Sequence, residues 1–248
     1  MKNGSIAVTG SSRGIGAGIA RELATRGFTV GCLSRGGLLP EGSDTLGRES
    51  RDRLIPIACD VTDEAALSAA FRNLAERTGG IRGLINNAGV HADHRAHAMA
   101  TAEFEAVMRT NSTAVFVACR EVYPHMVERG RGIIVNIGSF FEKLAPKGSA
   151  AYCASKAAVG ALTRCLAAEW AMKGISVLAI APGYVETDVN REFLNDPVRG
   201  AHVRSRSFLR RPGEAGEIAR LVAALFVEDI PFLTGETIFV DGGHGISL

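Results

Sequence analysis

The stretch Ser5–Gly27, SIAVTGSSRGIGAGIARELATRG, decides the fold. It opens on a short apolar run, Ser5 to Thr9, with IAV at its centre. A glycine-rich turn follows, Thr9-Gly10-Ser11-Ser12-Arg13-Gly14-Ile15-Gly16. A helical pattern from about Ile15 to Arg26 then places Ile15, Ile19 and Leu23 on one face. Strand, glycine turn and helix N-terminus together make an anion site, because backbone N–H groups converge there and the helix dipole favours negative charge. Glycine lets the chain turn tightly and lets a phosphate approach the backbone. Alone, such a turn is equally a tightly packed helix start; its place after the first strand favours the phosphate reading.

Outward from this unit the same alternation repeats. Phe28–Leu33, Leu54–Cys59, a strand ending at Leu84–Asn86, Gly132–Ile137, Ile175–Ile180 and Glu236–Val240 read as strands. Helical patterns cover Asp63–Arg77, Thr101–Val127, Ala150–Met172 and Glu214–Phe226, while Gly36–Glu49 reads as a loop or a poor helix. The strands are continuous apolar runs, as expected where both faces are buried. The prediction is an α/β fold: one Rossmann-type, doubly wound parallel sheet of about seven strands with helices on both faces. No linker, repeat or low-complexity stretch divides the 248 residues, so residues 1–248 read as a single domain.

With 28 Lys and Arg against 26 Asp and Glu, net charge is +2, too nearly balanced to argue for nucleic acid or a membrane surface as partner. The apolar runs are too short to span a bilayer. The chain enters a strand almost at once, which leaves no room for a signal peptide, and cytoplasmic location is the expectation. The five cysteines form no CxxC pair; Cys32, Cys59, Cys119 and Cys165 sit in apolar runs and read as small core residues. His91, His94 and His97 lack helical metal-pair spacing and read as solvated loop residues, so no metal is assigned.

The chemistry-bearing residues lie further along. Tyr152 and Lys156 are at i and i+4 in a helical pattern and share a face. A nearby ammonium favours a phenolate, and a phenol tuned toward operating pH can exchange a proton with a carbonyl or alcohol oxygen. Ser139 follows the fifth strand, at the edge of a parallel sheet where ligands bind. Asn86-Asn87-Ala88-Gly89 ends the fourth strand, and Asn111 is a polar break in the long helix. Tyr123 has no matching lysine and reads as a packing residue.

These segments, in this order, resemble the short-chain dehydrogenase/reductase family over nearly the whole chain, with a lean towards 3-oxoacyl-carrier-protein reductases. The matching stretches are TGSSRGIG at Thr9–Gly16, DV at Asp60-Val61, NNAG at Asn86–Gly89, Asn111, Ser139, YCASK at Tyr152–Lys156, PGYVET at Pro182–Thr187 and GETIFVDGG at Gly235–Gly243. The resemblance implies an oxidoreductase that moves a hydride between a nicotinamide and a carbonyl or secondary alcohol. It implies a catalytic set of Tyr152 as acid/base, Ser139 orienting the substrate oxygen, Lys156 lowering the tyrosine pKa and holding the nicotinamide ribose, and Asn111 positioning a water. For the cofactor it implies the turn residues Gly10, Ser12, Arg13, Gly14, Ile15 and Gly16. Asp60 and Val61 would border the adenine, Asn87 the adenosine ribose, and Pro182, Gly183, Val185 and Thr187 the nicotinamide, with Ala88 and Gly89 also at the cofactor and Tyr152 and Lys156 shared.

The second strand ends Leu33-Ser34-Arg35, without the carboxylate that NAD-binding domains place there for the ribose hydroxyls. Ser34, Arg35 and Arg13 instead suit a 2′-phosphate, so NADP(H) is the expected cofactor, with NAD(H) possible. Two other readings stand beside this one: an NAD-dependent sugar or polyol dehydrogenase, and a non-catalytic NADP-binding regulator. The family also implies a homotetramer, or else a dimer, built on the two long helical patterns, where Ala157, Ala158, Gly160 and Ala161 would permit close helix approach. Asp188–Arg211 reads as a mobile lid, and Phe140, Phe141, Glu142 and Tyr184–Phe193 as the substrate pocket wall.

Overall fold

A computed structural model of the chain describes residues 4–187 and 190–247. Seven strands form one parallel sheet in the order β3-β2-β1-β4-β5-β6-β9. They are β1 (Ser5–Thr9), β2 (Val30–Ser34), β3 (Leu54–Ala58), β4 (Ile81–Asn86), β5 (Gly132–Ile137), β6 (Ile175–Pro182) and β9 (Thr237–Val240). A separate two-residue pair, β7 (Val185–Glu186) with β8 (Gly213–Glu214), lies outside that sheet. The five central strands β1, β2, β4, β5 and β6 are buried along nearly their whole length, which is why they read as unbroken apolar runs. Strand order reverses between β1 and β4, and the crevice at the carboxyl ends of those strands is where a doubly wound sheet binds its ligand.

Helices cover both faces. On one side α1 (Gly14–Thr25) and α9 (Ala215–Glu228) pack on β1, β2 and β5 through Ile19, Leu23, Ile218, Val222 and Phe226. On the other, α3 (Glu64–Thr78), α5 (Ala114–Arg129) and α6 (Ala150–Trp170) pack through Leu67, Phe71, Val122, Met126, Val159 and Leu166. The 36–49 region is the loop expected there, and only a four-residue helix, α2 (Arg48–Arg51), precedes β3.

Two sequence expectations need correction. The helical pattern Thr101–Val127 is not one helix: α4 (Thr101–Met108) and α5 flank a π-helical turn, Arg109–Thr113, that contains Asn111. Asn111 is fully buried within that turn. Cys165 is exposed on α6, not a core residue, because its run of apolar neighbours continues around the helix while only one stripe faces the sheet. Residues 191–211 carry two short helices, α7 (Arg191–Asn195) and α8 (Pro197–Arg206), anchored mainly by Leu194 and Val203. Asp188, where the lid was expected to begin, lies outside the described residues.

Candidate active site

The glycine turn is built as the sequence suggested. Gly10 and Gly14 hold positive φ of 64° and 58°, which an L side chain adopts only with strain. The first turn of α1 has neither a side-chain cap nor an acidic residue, so its N–H groups and positive dipole end are left for an anion. The turn is locked to the end of β4. Thr9 Oγ1 accepts from the backbone N–H groups of Asn87 and Ala88, at 3.0 and 3.1 Å. The Asn87 amide donates to the carbonyls of Thr9 (3.1 Å) and Gly10 (3.0 Å). Asn87 is thus a brace for the turn, and its amide donor is engaged there.

At the end of β2, the Ser34 hydroxyl is buried and has no hydrogen-bond partner among the described residues. An orphaned buried hydroxyl calls for a partner. Arg35 beside it and Arg13 in the turn are exposed cations. Asp60, past β3, accepts from the Thr62 N–H (2.9 Å) and hydroxyl (2.8 Å), bonds that hold its carboxyl below the usual range with help from Arg35. On the far side Thr187 approaches the turn: a β-carbon placed on Gly14 would lie 3.3 Å from its methyl group. Pro182 ends β6, Gly183 donates its N–H to the Val240 carbonyl at 3.0 Å, and Val185 is buried in β7. The anion-ready helix start, the orphaned hydroxyl and the two exposed arginines fit a phosphorylated dinucleotide. When bound, that group supplies the hydride chemistry.

The catalytic candidates converge at the carboxyl edge of β4 and β5. Ser139 follows β5; its hydroxyl accepts from the Phe141 N–H at 3.2 Å and lies near enough to the Tyr152 phenol to favour its ionised form. It is therefore both a turn cap and a partner of the tyrosine. Lys156 lies one helical turn beyond Tyr152 on α6, with Nζ 5.7 Å from the phenol ring centroid. Its ammonium is buried and donates to the Ile137 carbonyl at 2.8 Å. Burial brings its pKa down to about 8. A β-carbon on Gly89 would lie 3.3 Å from Asn111 Oδ1 and 3.8 Å from Lys156 Nζ, so Gly89 keeps a small space open between them.

The expected lowering of the Tyr152 pKa is not what this geometry gives. Burial pushes the phenol up, and Ser139 only partly opposes it. The ammonium, itself destabilised by burial, is committed to Ile137. Asn111 likewise acts on the protein: its Oδ1 accepts from the Val90 N–H (2.8 Å), and its Nδ2 donates to the Val90 carbonyl (2.9 Å) and to Ser155 Oγ (3.0 Å). Ser155 in turn donates to the Tyr152 carbonyl at 2.7 Å. The π-turn, the loop after β4 and the catalytic helix are joined through one amide.

Aromatic rings surround the tyrosine. Phe141 meets it edge-on at 5.9 Å, Tyr184 meets Phe141 at 6.0 Å, and Phe193 stacks on Tyr184 at 5.9 Å. His91 is the exposed loop residue that the sequence suggested, and its ring also packs against Tyr152 at 4.8 Å. His244, far along the chain, packs on Phe140 and Tyr184. Neither carries a local sequence signal, since both reach the site only through the fold. Glu142 packs against α6: one of its oxygens would lie 3.0 Å from a β-carbon on Gly160, and burial raises its pKa. Gly160 is therefore buried against Glu142 within the chain and not open for close helix approach.

A family model described as enoyl-(acyl carrier protein) reductase matches residues 10–245. The 3-oxoacyl-[acyl-carrier-protein] reductase of Vibrio cholerae is 36% identical over 237 residues, which is 95% of each chain. The 2-(R)-hydroxypropyl-CoM dehydrogenase of Xanthobacter autotrophicus is 34% identical over 241 residues, 96% of each. Among solved structures, a gluconate 5-dehydrogenase from Burkholderia cenocepacia in complex with NADP and tartrate superposes with a TM-score of 0.87 at 34% identity, covering 99% of this chain and 97% of that one.

Proposed function

The chain belongs to the short-chain dehydrogenase/reductase family, oxidoreductases acting on CH–OH and C=O groups, and we propose that it is an NADP(H)-dependent member with Tyr152 as its acid/base. One observation carries this reading: Ser139, Tyr152 and Lys156 meet at the carboxyl edge of the sheet, beside the strand-order reversal. In the reductive direction Tyr152 holds the proton at its hydroxyl and gives it to the carbonyl oxygen. Burial keeps that phenol protonated at neutral pH, the form an acid needs. Ser139 presents its hydroxyl to the same oxygen, and the aromatic rings exclude water from it. Lys156 places a buried ammonium beside the phenol and, with its remaining protons, holds the ribose. In the oxidative direction Tyr152 takes the proton back.

NADP(H) is supported by the orphaned Ser34 hydroxyl, by Arg13 and Arg35, and by the NADP of the gluconate 5-dehydrogenase complex. The whole chain is one catalytic unit acting on a small-molecule carbonyl or alcohol. Tyr152→Phe keeps the ring and removes the transferable proton. Turnover on any good substrate should drop at least a hundredfold, while NADPH titration, followed by fluorescence, gives an unchanged Kd. Near-wild-type kcat in Tyr152→Phe refutes the assignment.

A further inference from the structure

His91 is held in place from two directions. Its backbone follows Val90, whose N–H and carbonyl are both bound by the Asn111 amide, at 2.8 and 2.9 Å. Its ring nitrogen Nε2 lies 3.3 Å from the hydroxyl of Ser149, itself buried just ahead of α6. The imidazole then packs edge-on against Tyr152, 4.8 Å between ring centroids. Of the rings that meet the catalytic phenol, Phe141 is apolar and His91 alone has hydrogen-bonding atoms. Its other nitrogen, Nδ1, has no hydrogen-bond partner among the described residues. A polar ring fixed by its neighbours and packed on the catalytic ring is placed to read a substrate.

We propose that His91 is a specificity residue that hydrogen-bonds a hydroxyl on the carbon next to the reacting carbonyl, so that α-hydroxy ketones and the vicinal diols they form are the preferred substrates. This rests on the carbonyl–alcohol reading above. The adjacent carbon is singled out because the ring abuts the phenol that must hold the carbonyl oxygen. A hydroxyl is singled out because Nδ1 is a donor or an acceptor according to the tautomer that Ser149 selects, and a hydroxyl answers either. A carboxylate needs a donor, preferably charged, and burial shifts His91 towards its neutral form against the opposing pull of Asp93. The Phe141–Tyr184–Phe193 rings take the carbon skeleton.

The test compares ketones that differ by one hydroxyl, 2-butanone with 3-hydroxy-2-butanone and cyclohexanone with 2-hydroxycyclohexanone, using NADPH and the full chain. The wild type should favour the hydroxy ketone of each pair in kcat/KM. His91→Ala should cut that preference about three- to tenfold, the range of one neutral hydrogen bond, and His91→Gln should restore part of it. A role confined to packing Tyr152 lowers both members of a pair equally, so an unchanged ratio in His91→Ala overturns the inference. So does a wild type that reduces other carbonyls with no preference for the hydroxy ketones, and that result leaves the proposed function standing. A wild type that binds NADPH and reduces no carbonyl at all overturns both.

Discussion

At the scale of single residues, two charges make distinct predictions. Arg35 stands at the end of β2 beside the orphaned Ser34 hydroxyl, where an NAD enzyme would place a carboxylate. A charge-assisted bond to a 2′-phosphate is worth roughly 1.5–3 kcal/mol, tenfold or more in preference. The wild type should favour NADPH over NADH in kcat/KM by at least about tenfold, and Arg35→Ala should lose about tenfold of that ratio. A wild type that prefers NADH sinks the argument. Lys156 is buried at a cost to the fold, and its sign is readable. Its folded pKa of about 8 lies below the ordinary 10.5, so between those values the unfolded chain keeps a proton that the folded chain has lost. Stability set by this group therefore rises as pH climbs from about 8 to about 10.5, and the penalty is complete below 8. In urea titrations, the midpoint of wild type relative to Lys156→Met should improve from pH 7 to pH 10; a pH-independent difference contradicts this. The sequence made Tyr152, Lys156 and Ser139 legible because their spacing and strand-end positions are local. The direction of the Tyr152 shift was not legible, since it depends on burial and on where the ammonium spends its hydrogen bond.

At the scale of elements, the central strands were legible from apolar runs alone, and β1 and β5 have the bounds expected of them. The break at residues 109–113 was not, because a π-turn adds one residue without any glycine or proline to mark it. The segment after β7 is held by few buried side chains. Short helices α7 and α8 bury little beyond Leu194, Gly200 and Val203, while Val198, Phe208 and Leu209 remain exposed. Elements held by so few apolar contacts open cheaply. Phe193 on α7 stacks on Tyr184, which ties the segment to the ring cluster around Tyr152. Residues 191–211 should therefore gain hydrogen-exchange protection when cofactor and substrate are both added, by about tenfold in opening constant. Equal protection with and without ligands argues against a lid.

At the scale of the whole molecule, the outer faces carry apolar groups that a single chain leaves uncovered. On α6, Ala157, Ala161, Cys165 and Ala168 are exposed along one stripe, and on α5 Phe116 and Val127 are exposed. Small side chains let helices approach closely, and Phe116 supplies apolar area for burial. Gly160 is not part of that stripe, since Glu142 fills the space beside it, so the close approach rests on the alanines. A second surface lies at the open edge of the sheet. Strand β9 is only half-buried along its length, and Ile230 and fully exposed Phe232 precede it. Parallel sheets seldom leave such an edge bare. Two separate self-complementary surfaces on one chain generate two two-fold axes, and two axes close a tetramer of dihedral symmetry, whereas one alone stops at a dimer. Light scattering at micromolar concentration should give four times the 26.1 kDa chain mass. Phe116→Arg puts a charge into the helical surface and leaves the edge surface intact, so it should give dimers at twice the chain mass. A monomeric wild type, or a Phe116→Arg variant that stays tetrameric, overturns this assembly.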